Sequence, residues 1–172
     1  MRKLFRRTHC QKEPVITAIL FSVTAAALFL WLSTKQDMLL PSGDATDIWK
    51  CITTFDSTAR YPSYVLYKGF ASIYPYVWLY RLSVALHVNE FFFIRIYHAL
   101  LFSYITTIGT PAIVHYFTGH KPQLWQRILL CVTLFWFWYW TGALNLLMVD
   151  LPSCAAFIGA MHLAGMCCTT YK

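Results

Sequence analysis

The chain has 172 residues, of which 58% are hydrophobic and only 12% carry a charge. Soluble domains carry about 25% charged residues, so the composition excludes an ordinary soluble globular protein. The net charge of +7 could indicate a nucleic-acid partner, but five of the basic residues crowd the first twelve positions, directly before an apolar segment. That placement is typical of a membrane topology signal, and we expect no nucleic acid as a partner.

Long segments without any charged residue divide the chain. They run between Glu13 and Lys35, Arg95 and Lys121, Arg127 and Asp150, and Asp150 and Lys172, and they hold 21, 25, 22 and 21 residues. A helix that crosses a bilayer needs roughly 20 residues. Because backbone amides find no water in hydrocarbon, such segments must be helical. The pattern predicts an all-α integral membrane protein with four transmembrane helices, at Pro14–Ser33, Phe91–Phe117, Ile128–Val149 and Ser153–Tyr171.

The basic tail, residues 1–13, sets the expected topology. Basic residues beside a span keep that end in the cytoplasm. The short turn with Lys121 and Arg127 then falls on the same side, and both termini are cytoplasmic. We divide the rest of the chain into residues 14–117, with the first span, a long outer loop and the second span, and residues 118–172, with the third and fourth spans.

The long outer loop lies between the first two spans, and it carries both acidic and basic residues. Asp44–Ser57 has apolar residues at helical spacing and predicts an interfacial helix that lies on the membrane surface. Tyr61–Val88 is rich in aromatic residues, which favour the headgroup level. A fifth span at Gly69–Val88 is the alternative, but Arg81 in hydrocarbon would cost at least ~2.5 kcal/mol unless it were paired. We therefore predict surface-lying or re-entrant helices there.

The later spans carry three local signals. Gly109 and Pro111 predict a kink in the second span, because proline has no N–H for the helical ladder. The aromatic cluster Phe135–Trp140 is expected to pack against lipid or neighbouring helices. Small residues in the fourth span, including Gly159 and Gly165, favour close helix packing.

Two acidic residues follow the first span on the predicted outer side. Asp44 and Asp47 are three positions apart at the start of the predicted interfacial helix. A carboxylate there could act as a general base, or the pair could hold a divalent cation against phosphate oxygens. The alternative is structural, since Asp44 suits a helix N-cap and Asp47 suits the first turn, where the helix dipole favours negative charge. The two roles are compatible, and Asp44 and Asp47 are the candidate catalytic residues.

Basic side chains mark a second candidate site at the outer end of the second span. Arg95 and His98 are three apart and therefore share a helix face. Together with Lys68 or Arg81 they could bind a lipid phosphate. The alternative is that Arg95 reaches the interface and pairs with Glu90.

We predict no metal site and no cofactor. His115 and His120 have no cysteine or carboxylate at ligand spacing.

The segment Tyr74–Leu101, YPYVWLYRLSVALHVNEFFFIRIYHALL, resembles the start of GT-C membrane glycosyltransferases. These enzymes use polyprenyl-phosphate sugars and are related to protein mannosyltransferases and lipid A aminoarabinose transferases. The resemblance covers about residues 14–117. It consists of four features in order: a proline, an aromatic-rich helix, an Asn-Glu-Phe junction and an arginine that opens the next span. It implies a catalytic role for Asp44 or Asp47 and phosphate binding by Arg95. The acids here are three apart, whereas the family has an adjacent pair and two to three times as many spans.

Two hypotheses follow. The first is a glycosyltransferase-like membrane protein, possibly a truncated copy, that acts on a polyprenyl-phosphate-linked sugar in a bacterial plasma membrane. The second is a non-catalytic helical subunit of a larger membrane complex, with another membrane subunit as its partner. Membrane lipid is a partner under both.

Overall fold

A computed structural model describes residues 2–35, 44–55, 70–141 and 150–170. Within these ranges the fold is entirely helical, without a β-strand. The helices are α1 (Arg2–Ser33), α2 (Asp44–Thr53), α3 (Phe70–Ala85), α4 (Phe92–Tyr104), a π-helical turn (Ile105–Gly109), α5 (Thr110–Thr118), α6 (Leu124–Trp140) and α7 (Asp150–Thr170).

Within the described residues, three helical segments are long and apolar enough to cross a bilayer, and they indicate an integral membrane protein. They are Glu13–Ser33, Phe92–Thr118 and Asp150–Cys168. These segments match the first, second and fourth predicted spans to within a few residues. The third predicted span, Ile128–Val149, coincides in part with α6, which has 17 described helical residues. Its remaining part, residues 142–149, lies outside the described residues.

The second spanning segment is the centre of the bundle. More than half of its most apolar stretch is buried (56%), compared with 11% for Glu13–Ser33 and 11% for Asp150–Cys168. Helices α1, α6 and α7 all pack against it. The aromatic cluster of α6 divides accordingly: Phe135 and Trp138 contact the ring of Phe102, whereas Trp136 and Trp140 are exposed. The surfaces of α1 and α7 that face away from the central segment are exposed and are free to contact lipid or other helices.

A π-helical turn interrupts the central segment where the sequence predicted a kink. The amide of Thr110 bonds to the carbonyl of Ile105, five residues back, instead of four. Pro111 follows and supplies no N–H, so the preceding turn loses a regular ladder bond. In the same turn the hydroxyl of Thr107 donates to the carbonyl of Ser103 at 2.7 Å. The irregularity is thus a consequence of Pro111 within an otherwise continuous span.

Small residues bring α7 close to the central segment, as the sequence predicted. A Cβ atom at Gly165 would overlap the ring of Tyr116, and one at Gly109 would overlap Cγ2 of Ile158. Gly159 lies beside the hydroxyl of Tyr104. Without these glycines the two backbones could not approach so closely, which is the usual way in which membrane helices gain packing energy.

Helices α2 and α3 pack with the first two turns of α4, and we call residues 44–55 and 70–98 the head unit. Its core is apolar and fully covered, and it consists of Ala45, Ile48, Cys51, Ile52, Phe55, Ile73, Tyr76, Val77, Phe91 and Ile94. The α2 residues in this list recur every three or four positions, so one face of α2 is buried. That face packs on α3 and α4, although the sequence predicted contact with the membrane surface.

The end of α3 holds a residue in a strained conformation. His87 has φ = +53°, and the amides of His87 and Val88 bond to the carbonyls of Val84 and Ser83. This is the Schellman arrangement, in which glycine is the favoured residue at the position of His87. A side chain there costs about 1 kcal/mol, because Cβ crowds the following carbonyl.

We expect His87→Gly to raise the free energy of unfolding by about 1 kcal/mol, because it removes this strain. The measurement is thermal unfolding of the purified protein in detergent. The matched variant in the opposite direction is Gly119→Ala, since Gly119 has φ = +71° and open space around its Cα; it should lower stability by a similar amount. A lower melting temperature for His87→Gly would contradict the described end of α3.

We expect Gly109→Ala to destabilise the fold by about 1–3 kcal/mol, because the new methyl group overlaps Ile158. Adding Ile158→Ala removes the overlapped methyl, so the double variant should be more stable than the sum of the two single effects. Gly159→Ala is the control, since its Cβ would lie 3.7 Å from the nearest described atom. Equal stability of Gly109→Ala and Gly159→Ala would rule out the close contact between α7 and the central segment.

Candidate functional site

Arg95 lies in the first turn of α4, and it is a buried cation with only 6% of its surface exposed. Its Nη2 donates to the carbonyl of Lys35 at 2.7 Å, and its Nη1 donates to Oδ1 of Asn89 at 3.3 Å. Its guanidinium carbon also lies 5.9 Å from the ring centre of Phe91. The carbonyls that follow the end of α1 carry negative partial charge, so a guanidinium is well placed there. Arg95 therefore joins the end of α1 to the start of α4.

The side chain of Asn89 supports the position of Arg95 and also organises the start of α4. Its Oδ1 also accepts the amide of Phe91 at 3.0 Å, and its backbone carbonyl accepts the amide of Phe92. An asparagine side chain that binds the amide two residues ahead is a standard way to begin a helix. The same oxygen thus starts α4 and helps to hold the guanidinium of Arg95.

His98 lies one turn further along α4 and is fully buried. Its Nε2 shares a hydrogen bond of 2.9 Å with the hydroxyl of Tyr76 on α3. The ring of Tyr97 packs edge-on against Tyr76, with 5.7 Å between ring centres. Burial, aided by the nearby Tyr97 and Asp150, raises the pKa of Tyr76 well above its usual range. The phenol therefore stays protonated at physiological pH and contributes a neutral hydrogen bond between α3 and α4.

Asp47 lies on the exposed face of α2. Its carboxylate is 3.8 Å from Nζ of Lys50, and both side chains are more than half exposed. An exposed pair of this kind contributes little to stability, so Asp47 remains available to other groups. On the buried side of the same helix, burial and the charge of Asp47 raise the pKa of the Cys51 thiol. The first residue of α2 is Asp44, in agreement with the helix start that the sequence predicted.

Arg81 is exposed on α3 and binds the end of α2. Its Nη2 donates to the carbonyl of Phe55 at 3.0 Å. Helix α2 is held at its middle as well, because the ring of Trp49 lies 4.6 Å from that of Phe91 and 5.3 Å from that of Tyr80. Of the predicted site residues, Lys68 lies outside the described residues.

Apart from Lys68, the structure therefore places the predicted residues in one unit but gives them different surroundings. Asp47 and Arg81 are exposed on α2 and α3, whereas Arg95 and His98 are buried in contacts that join α4 to its neighbours. Tyr76 and Asn89 were not among the predicted site residues, although Asn89 belongs to the junction that opens the second predicted span. Tyr76 was one of many aromatic residues in its segment, and only its depth distinguishes it. Asn89, two residues before the buried Phe91, carried a recognisable signal for a helix start.

In the part of the chain that the structure describes, no three His, Cys, Asp or Glu side chains are placed to hold a metal ion. Comparisons with protein-family models, with curated proteins and with solved structures found no match to this chain.

We expect Tyr76→Phe to lower the free energy of unfolding by about 1 kcal/mol, because it removes the hydroxyl that bonds to His98. Thermal unfolding in detergent measures this change. Tyr97→Phe is the matched control, since Tyr97 packs on the same ring and its hydroxyl makes no hydrogen bond among the described residues. If both variants unfolded at the same temperature, the hydrogen bond between α3 and α4 would have no stabilising role.

Proposed function

We propose that this chain is a glycosyltransferase-like membrane protein that acts on a polyprenyl-phosphate-linked sugar. The single observation that supports it is the packing of the head unit, in which the acid-bearing helix α2 lies against the arginine-bearing helices α3 and α4. Trp49 and Arg95 both contact the ring of Phe91, from α2 and from α4. A carboxylate and cations on one compact unit are what transfer from a phosphate carrier requires.

In the proposed reaction, the carboxylate of Asp47, assisted by Asp44, takes the proton of an acceptor hydroxyl. The acceptor oxygen forms a bond to the sugar carbon, and the bond from that carbon to the carrier phosphate breaks. The phosphate leaves with the bonding electron pair, so cations beside it lower the barrier. Of the predicted phosphate-binding residues, Arg81 is exposed, and Lys68 is a second candidate for the same role. Arg95 and His98 act by holding α4 against α1 and α3.

The proposal includes four spans, with α6 and the residues after it as the third. It also includes a head unit at the membrane surface on the outer side, with α2 and α3 as interfacial helices. Both termini then lie in the cytoplasm, because the basic N-terminal tail and the turn with Lys121 and Arg127 are at the same end of the bundle. A bacterial plasma membrane is the proposed location, because polyprenyl-phosphate sugars are the proposed substrates.

The test is release of polyprenyl phosphate from polyprenyl-phosphate mannose or aminoarabinose by the full chain in proteoliposomes, with membrane lipid extract as acceptor. We expect Asp47→Asn to reduce release at least 100-fold, as removal of a general base does. Lys50→Gln is the matched control, since it removes the other half of an exposed ion pair on the same helix. It should change the rate less than threefold.

Absence of release by the unaltered chain, or an unchanged rate in Asp47→Asn, would overturn the proposal. A non-catalytic helical subunit is then the second candidate. It is favoured by the large aromatic side chains that α6 exposes, among them Trp136 and Trp140, which offer contact area to a partner helix. Such a subunit would co-purify with a second membrane protein, and substitution of Asp44 or Asp47 would leave that complex intact.

A further inference from the structure

A cleft runs along α1 and α6, at the end of the bundle away from the head unit. It has a volume of about 670 Å³ and lies between Glu13–Ser22 of α1 and Arg127 of α6, with Ile108 of the π-helical turn also in its wall. A second cavity of about 360 Å³ follows along the same two helices, with Leu28, Phe102 and Phe135 among its lining residues. The two cavities follow one another along α1, lined by residues from Glu13 to Ser22 and then from Val23 to Trp31, and we call them together the groove.

The mouth of this groove is charged. Lys121 and Glu13 form an ion pair at 2.5 Å, and Arg127 lies beside them. Two cations and one carboxylate leave a net charge of about +1 at this mouth, so it favours an anion.

Arg127 is held in place before any ligand arrives. Its Nη1 donates to Oγ1 of Thr17 at 2.8 Å, and its Nε donates to the carbonyl of Pro122 at 3.2 Å. Among the described residues no hydrogen bond uses its Nη2. A guanidinium that is fixed by two bonds and has a free edge loses little entropy when it binds a phosphate.

The position of the groove identifies the ligand. Glu13 is the first residue of the first spanning segment, so the charged mouth lies at headgroup level. The walls beyond it, with Phe21, Leu28 and Phe102, lie at the depth of the hydrocarbon. An apolar groove at that depth does not retain water, so the occupant that suits it is a hydrocarbon chain. Basic pockets between membrane helices are known to bind anionic headgroups.

We propose that this groove binds one anionic glycerophospholipid. Its phosphate contacts Arg127 and Lys121, and one acyl chain lies between α1 and α6 over Phe102. The charged mouth is independent of the proposed transferase activity, because the 22 positions from Glu13 to Lys35 separate it from the contact of Arg95 by roughly 30 Å of α1.

The test is native mass spectrometry of the full chain in detergent, with phosphatidylglycerol or phosphatidylcholine added. We expect phosphatidylglycerol to bind at least tenfold more tightly than phosphatidylcholine, and Arg127→Gln to remove most of that preference. Lys50→Gln, which removes an exposed cation on α2, should leave the preference unchanged. Equal binding of the two lipids, or no effect of Arg127→Gln, would overturn the proposal.

Two further measurements distinguish the contribution of the lipid headgroup from that of the acyl chain. They also test the proposal without Arg127→Gln, in case that variant misfolds. Ala27→Trp places an indole in the apolar half of the groove, where Ala27 is a lining residue. This substitution should weaken the binding of phosphatidylglycerol at least fivefold, although the charged mouth is intact. Glycerol phosphate, which has the headgroup chemistry without chains, should not raise the melting temperature at 1 mM. Stabilisation by glycerol phosphate together with normal lipid binding by Ala27→Trp would mean a soluble-anion site and would contradict the lipid assignment.

Discussion

The hydrogen bond from Arg95 to the carbonyl of Lys35 is the contact on which the arrangement of the head unit depends. It connects residues 60 positions apart, at the end of α1 and the start of α4. A buried guanidinium is costly unless its N–H groups are satisfied. The carbonyl of Lys35 accepts from Nη2 and Oδ1 of Asn89 accepts from Nη1, so these two groups satisfy two of the three nitrogens of the guanidinium. The first two spanning segments are thereby held side by side where the chain enters and leaves the head unit.

The remaining contacts of the head unit extend the same principle to α2 and α3. Arg81 binds the carbonyl of Phe55 beyond the end of α2, as Arg95 binds the carbonyl beyond the end of α1. The hydrogen bond between Tyr76 and His98 then joins α3 to α4 within an apolar core. The polar groups that sequence analysis selected for chemistry are thus largely used for assembly. Asp47 and Arg81 are the members of this set that remain exposed.

The groove between α1 and α6 gives the opposite end of the bundle a different chemistry. There the cations Lys121 and Arg127 are at the mouth of an apolar cleft, and the fold needs only part of their hydrogen-bonding capacity. The central segment contributes Phe102 and Ile108 to the walls of this groove. The protein therefore has a structured unit at one end of its central helix and a lipid-sized groove toward the other.

The sequence by itself determined the helical class, the membrane location and the bounds of three spanning segments. These follow from local properties: a charge-free run of about 20 residues has few alternatives to a helix in a bilayer. It also located the break near Pro111 and the small residues on α7, because both effects act within a turn or two. Tertiary structure decided that α2 packs its apolar face on α3, that Arg95 and His98 are buried, and that Tyr76 is their neighbour. Those outcomes depend on which helix covers which face, and amphipathic spacing is the same whether an apolar face meets lipid or another helix.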